Sequence, residues 1–308
     1  MSRRPVPPTH FSRLDAAALQ HWPLPDVDHA ADKEARGSVL VVAGSREIPG
    51  AALLSALAAA RAGAGKLLIA APLSAAHGIA LAMPEARVIG LQENRDGSPL
   101  ASAARQLAPF AEKVQAVLVG PGLPEGDATT AFVLRLLPHF AGVPVILDAA
   151  AMDAVMHAGA FSQPVLLTPH CGEMAHLTGH AKQALADSAA AAAVHYAGEW
   201  DAVLALKGAT SWIAQPDGRL WQHEGGHPGL ATSGSGDVLA GVITGLAARG
   251  ATLAQACAWG VLTHAQAGRQ LAKRIGSLGF LARELLPEIP SILDELRRGP
   301  ARAGAGER

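Results

Sequence analysis

The sequence predicts an α/β fold in which a central, mostly parallel sheet is covered by helices on both faces. Three observations predict it. Apolar runs at 38–43, 67–70, 116–120, 143–148, 165–168 and 203–207 are short, β-branched or leucine-rich, and closed by Gly, Pro or Asp. Helical segments separate them, beginning with 51–62. Half of the 308 residues are hydrophobic, ample for a buried core. Continuous apolar runs are the mark of strands covered on both faces. The connections are long enough for right-handed crossovers.

The later elements follow from local chemistry. Runs at 211–214 and 220–223, split by Pro216-Asp217-Gly218, predict a hairpin. The C-terminal third is helical. Val238, Leu239, Val242, Ile243 and Leu246 share one helical face, and Gly250 closes that helix. A further helix spans 256–271. Residues 1–36 are polar and Pro-rich, an arm expected to pack on the domain or on a partner subunit. Residues 37–297 are expected to form one catalytic domain, and 298–308 a disordered tail.

Composition excludes several classes. A formal net charge of −1 provides no electrostatic grip on nucleic acid or an anionic membrane. Cys171 and Cys257 are too few for a disulfide framework and form no CxxC pair, which fits a reducing compartment. No apolar run follows Arg3 and Arg4, so no signal peptide is expected, and no stretch reads as a membrane span. A cytoplasmic location follows as an expectation. The 13 histidines show no metal-ligand spacing such as HExxH.

Five segments carry candidate chemistry, and in an open parallel sheet the loops after the strands are where ligands bind. The strongest is the small-residue loop from Gly225 to Asp237, which runs straight into a helix. Glycines let backbone N–H groups approach an anion, and a helix start adds donors and partial positive charge. Asp237, in the first turn, could take a proton from a substrate hydroxyl during phosphoryl transfer. A lone Asp there would read as an N-cap; the whole loop and its hydrophobic helix tip the reading to function. The second is Thr168 to Met174. His170 could bind a polar substrate, and Glu173 could hold Mg²⁺ through water; a turn with a capping Glu is an equal reading. The third is Lys207-Gly208-Ala209-Thr210-Ser211, whose lysine and hydroxyls suit nucleotide phosphates, although alone it reads as a strand-to-hairpin turn. The fourth, Gly44 to Ala52, and the fifth, Gly120-Pro121-Gly122, allow close ligand approach and are equally ordinary turns. Asp148 ends a strand facing the crevice, with structural and catalytic roles both open. Cys171 reads as a small structural thiol.

In order and spacing, Val119-Gly-Pro-Gly122, Leu167-Thr-Pro-His-Cys-Gly-Glu173, Leu206-Lys-Gly-Ala209 and the loop from Gly226 to Asp237 resemble the ADP/ATP-dependent NAD(P)H-hydrate dehydratase family. That family has the ribokinase-like fold, and the resemblance runs from about Gly37 to about Pro287. It implies a substrate that is NADH or NADPH hydrated across a nicotinamide double bond. A nucleotide phosphorylates the added hydroxyl, and phosphate, unlike hydroxide, then leaves readily. The resemblance implies hydrate contacts at Ala51, Gly122, His170 and Asp237, with Asp237 as base. It implies nucleotide contacts at Lys207, Gly208, Ala209, Thr210, Ser211 and Gly236, with ADP (or ATP) as donor and Mg²⁺ as cofactor. It also implies a homotetramer. Many relatives carry a fused epimerase ahead of this region; with only about 36 residues preceding the core here, that activity is expected from a separate chain.

The sequence departs from the family pattern at Cys171 (usually Pro), His227 (usually Asn), Ala150 (usually Asp) and in Ser233 to Asp237 (usually Gly-Gly-Thr-Gly-Asp). The hydroxyl of the lysine motif is usually fifth; here Thr210 is fourth and Ser211 fifth. Two other readings compete. One is a vitamin-precursor kinase on the same fold, which would release its phosphorylated product. The other is a non-catalytic nucleotide-binding regulator, which would have no need of Asp237 as a base.

Overall fold

The computed structural model describes residues 10–26 and 36–299; most of the expected tail and parts of the N-terminal arm lie outside the described residues. Ten strands form one sheet: β1 (Ser12–Arg13), β2 (Ser38–Val42), β3 (Lys66–Pro72), β4 (Ala86–Leu91), β5 (Ala116–Val119), β6 (Val145–Leu147), β7 (Val165–Leu167), β8 (Val203–Leu206), β9 (Thr210–Ala214) and β10 (Leu220–Glu224). Their order is β1-β10-β9-β8-β7-β6-β5-β2-β3-β4. Strands β2 to β8 are parallel, while β9 runs antiparallel to both β8 and β10.

The helices are α1 (Ala16–Gln20), α2 (Gly50–Arg61), α3 (Leu73–Ala82), α4 (Asp127–Leu136), α5 (Cys171–Thr178), α6 (Lys182–Asp187), α7 (Ala189–Glu199), α8 (Ser235–Ala248), α9 (Leu253–Arg274), α10 (Ala282–Leu285) and α11 (Ile289–Arg298). The period-2 alternation of the strands sorts them into two layers. Val39 and Val41 join the apolar cluster built on α1, α2, α3 and α8 to α11. Leu40 and Val42 join the opposite cluster, built on α4 to α7 and the intervening 3₁₀ turns. This is the mostly parallel, doubly covered sheet that the apolar runs predict.

Two strands were not legible. Strand β4 lies at the sheet edge, only partly buried and interrupted by Arg87, so it shows no continuous apolar run. Strand β1 is two residues of the arm, parallel to β10. The described part of the arm packs on the sheet edge and on α9. Trp22 stacks on Trp221 at 5.1 Å. Trp259 Nε1 donates to the Trp22 carbonyl at 2.9 Å, and Gln255 Nε2 donates to that of Pro23 at 2.7 Å. Leu19, on α1, is fully buried. Leu19→Ala is therefore expected to cost about 3 kcal/mol, read as a lower midpoint in urea unfolding; a change under about 0.5 kcal/mol would mean the arm is not part of the core. Among the described residues no helix is long and apolar enough to cross a membrane.

Candidate active site

From β2 the chain moves outward to β3 and β4, while β5 lies on the other side of β2 and leads to β6, β7 and β8. The β2/β5 boundary is thus a topological switch point, where a crevice opens at the carboxyl ends. The loops after these two strands touch there: Gly44 N–H donates to the Pro121 carbonyl at 2.7 Å. Gly122 (φ +68°) packs so closely that a Cβ would stand 2.6 Å from Ala51 Cβ. Only glycine fits that approach.

Helix α8 begins on Gly234 in the left-handed region (φ 86°), and no side chain caps it. Asp237 is therefore not the N-cap, and the uncapped helix start is an arrangement suited to an anion. Burial, reinforced by the negative charge of Asp148 and opposed by Lys207, pushes the Asp237 carboxyl up to about 6. Lys207, at the end of β8, is 20% exposed, and its ammonium lies 3.2 Å from Asp148 Oδ1 and 3.8 Å from Glu173 Oε2. Burial lowers its proton affinity; the carboxylates of Asp148, Glu173 and Asp237 outweigh that effect and hold the lysine above its ordinary range. Asp148 Oδ1 also accepts the Thr168 hydroxyl at 2.5 Å.

His170 caps α5. Its Nδ1 accepts the N–H groups of Gly172 (2.9 Å) and Glu173 (3.0 Å), and Glu173 Oε2 accepts the His170 N–H at 2.7 Å. The pair is a capping box. With Nδ1 accepting, the neutral ring carries its proton on Nε2, which makes that nitrogen a donor. The ring is more than half exposed.

Beside Lys207 lies a cavity of about 540 Å³, whose wall includes Gly208, Ala209, Ser211, Gly236, His170 and His264. His264 Nε2 meets Ser235 Oγ at 2.9 Å. Burial drives His264 down to about 4, so its ring is neutral near pH 7. The structure thus brings Lys207, Gly208, Ala209, Ser211, Gly236 and His170 to one cavity. Thr210 instead pairs with Glu224 in the hairpin. Ala51 and Gly122 pack against each other outside that wall. They are linked to Asp237 through α2: a Cβ on Gly234 would stand 2.6 Å from Leu54 Cδ1 and 3.9 Å from Asp237 Oδ2. Sequence reasoning missed Ser235 and His264. A lone histidine within a long helix offers no signal until the fold turns it toward a cavity.

A family model described as NAD(P)H-hydrate dehydratase matches residues 39–291. The chain belongs to the NAD(P)H-hydrate dehydratase family. Its match to the ADP-dependent (S)-NAD(P)H-hydrate dehydratase of Xanthomonas campestris is 50% identical, covering 93% of this chain and 97% of that protein. Among solved structures, the ADP/ATP-dependent NAD(P)H-hydrate dehydratase of Bacillus subtilis, co-crystallized with ATP/Mg²⁺, superposes with a TM-score of 0.80 at 30% identity, over 94% of this chain and 100% of that one. The bifunctional NAD(P)H-hydrate repair enzyme of Moorella thermoacetica is 38% identical over 93% of this chain, which spans only 55% of that longer protein. A ribokinase-like superfamily protein of Enterococcus faecalis superposes with a TM-score of 0.80 at 23% identity, over 94% of this chain and 97% of that one, so the fold is ribokinase-like.

Proposed function

We propose that this member of the NAD(P)H-hydrate dehydratase family repairs the hydrates of NADH and NADPH, using ADP or ATP to drive loss of the added water. One observation carries the reading: Asp237, a carboxylate whose proton affinity is raised to about 6, sits in an uncapped helix start beside a charged lysine. Those are the parts that phosphoryl transfer to a hydroxyl requires. Asp237 takes the proton as the hydroxyl oxygen attacks the terminal phosphorus, and the nucleotide leaves one phosphate shorter. The C–O bond then breaks with phosphate carrying away the electron pair. Loss of a proton from the neighbouring ring carbon restores the double bond.

The α8 N-terminus, Gly236 and Lys207 stabilise the moving phosphoryl charge. The cavity has the volume of a small-molecule site, with Gly208 to Ser211 along the nucleotide. Ala51, Gly122 and the Nε2–H of His170 hold the hydrate. Among the described residues no cluster of three His, Cys, Asp or Glu side chains could hold a metal. The donors fit Mg²⁺ only as an ion that arrives on the phosphates with most of its waters, within reach of Glu173; it would neutralise phosphate charge. Residues 37–297 form the catalytic unit, in a cytoplasmic homotetramer. The kinase reading loses ground to the 50% identity with a dehydratase, and the regulator reading to the tuned Asp237.

The test is recovery of dihydronicotinamide absorbance from NADH hydrate with Mg²⁺ and either nucleotide. Recovery should need nucleotide, and kcat/KM should fall as pH drops through about 6, where Asp237 takes up a proton. A stable phosphorylated product with no recovered absorbance would make the protein a kinase.

A further inference from the structure

Asp148 has no part in the chemistry above, yet its position is held from several sides. It directly follows β6 and is 3% exposed. Gly120 packs so tightly against it that a Cβ there would stand 1.7 Å from the Asp148 carbonyl oxygen. The next residue, Ala149, has φ 48°, a left-handed conformation that non-glycine residues keep only where their surroundings impose it. One carboxylate oxygen, Oδ1, accepts both the Thr168 hydroxyl at 2.5 Å and the Lys207 ammonium at 3.2 Å. Packing a sheet against helices calls for neither a buried carboxylate nor this backbone. Both cluster where a group must be held for chemistry.

We propose that Asp148 is a positioning residue for phosphoryl transfer: its buried carboxylate anchors the Lys207 ammonium beside the start of α8 and adds its negative charge to the burial that Asp237 already experiences. The inference rests on the dehydratase reading of Asp237.

The surroundings leave few other agents. Around Asp237, the end of β6 contributes Asp148 and the end of β8 contributes Lys207, the two charges that act on it. The start of α5 contributes His170 and Glu173, the latter facing Lys207. Helix α9 contributes His264, which burial keeps neutral. From α2 and α10, Leu54 and Ala282 lie beside Gly234, and neither is charged. Asp148 therefore supplies the repulsion that reinforces burial and brings Asp237 toward working pH, where a general base is most effective.

Asp148→Asn tests this, because the amide oxygen can still accept from Thr168 and Lys207 while the charge is gone. The acid limb of kcat/KM for NADH hydrate, with ADP and Mg²⁺, should move to lower pH by on the order of one unit. The rate at neutral pH should fall about tenfold. The ¹³C signal of the Asp237 carboxyl, assigned by its loss in Asp237→Asn, should titrate lower by the same amount. Thr168→Val keeps the Asp148 charge and should leave both titrations where they are. A uniform loss of rate in Asp148→Asn with both titrations unmoved would make Asp148 a structural brace and overturn the proposal. So would an equal shift in Thr168→Val. If Asp148→Asn does not fold, the wild-type signal decides: Asp237 titrating in the ordinary carboxylate range would also overturn it. The NMR titration needs no turnover, so failure of the dehydratase reading, seen as no recovered absorbance in the wild type, is distinguishable from failure of this one.

Discussion

Asp237→Asn is expected to abolish recovery of dihydronicotinamide absorbance while nucleotide binding survives. The amide has nearly the shape of the carboxylate but cannot accept the hydroxyl proton, and losing a general base costs about 10²–10⁴ in rate. Lys207 and the uncapped α8 N-terminus remain to bind phosphates. Calorimetric titration with ADP and Mg²⁺ should therefore give a Kd within a few-fold of the wild type. The same change should stabilise the fold, in a pH-dependent way. The folded-state value of about 6 exceeds the ordinary 3.8. Below about pH 4 the group is protonated in both folded and unfolded chains, and Asn gains nothing. Between the two values the unfolded chain releases a proton that the folded chain retains, so wild-type stability falls as pH rises, and the full deficit stands above about pH 6. Asn escapes that deficit, which partial exposure limits to at most about 3 kcal/mol. Urea unfolding at about pH 3 and about pH 8 should show no difference at the lower pH and a more stable variant at the higher. A variant that keeps turnover would overturn the proposed base.

Gly241→Ala is expected to lower stability and activity together. Helices α2 and α8 pack through small residues, so that their backbones nearly touch. A Cβ on Gly241 would stand 2.2 Å from the Ser55 carbonyl oxygen and 2.7 Å from Ala58 Cβ. One turn later, a Cβ on Gly245 would stand 2.5 Å from the Ala59 carbonyl oxygen. These neighbours are mainly backbone and cannot swing aside, so the helices must separate. Overpacking of this kind costs about 3 kcal/mol, offset by less than 1 kcal/mol of helix propensity. Because α8 carries Asp237 at its start, the variant should lose activity along with stability. A urea midpoint within error of the wild type would show that the helix pair yields more easily than its geometry implies.

Much of the fold was legible because its signals are local. Buried parallel strands are continuous apolar runs, and β2, β3, β5, β6, β7 and β8 all carry one. Strand β4 was not legible, because an edge strand with one exposed side needs no such run. The helix expected at 256–271 extends over Leu253–Arg274; its start is set by the Thr252 side chain, which accepts the Gln255 N–H, and caps are weak signals beside an apolar stripe. At the candidate site, the glycine loop before Asp237 stood out because a run of small residues leading into a hydrophobic helix is unusual. Of the two readings that His170 and Glu173 allow, the structure contains the capping box.

By itself, the sequence determined the layered α/β architecture, the order of its motif-bearing loops and membership of the dehydratase family. Each of these is written in residue type and spacing along the chain. Only the tertiary structure decided the electrostatics of the site. Asp148 and Lys207 are 59 residues apart in the chain and 3.2 Å apart in space. Ser235 and His264 are 29 apart and meet at 2.9 Å. Whether Asp237 is an ordinary surface acid or a base poised near neutral pH depends on its burial and on the two charges that folding sets beside it. Local pattern carries no record of such pairings, because sheet order alone brings the ends of distant strands together.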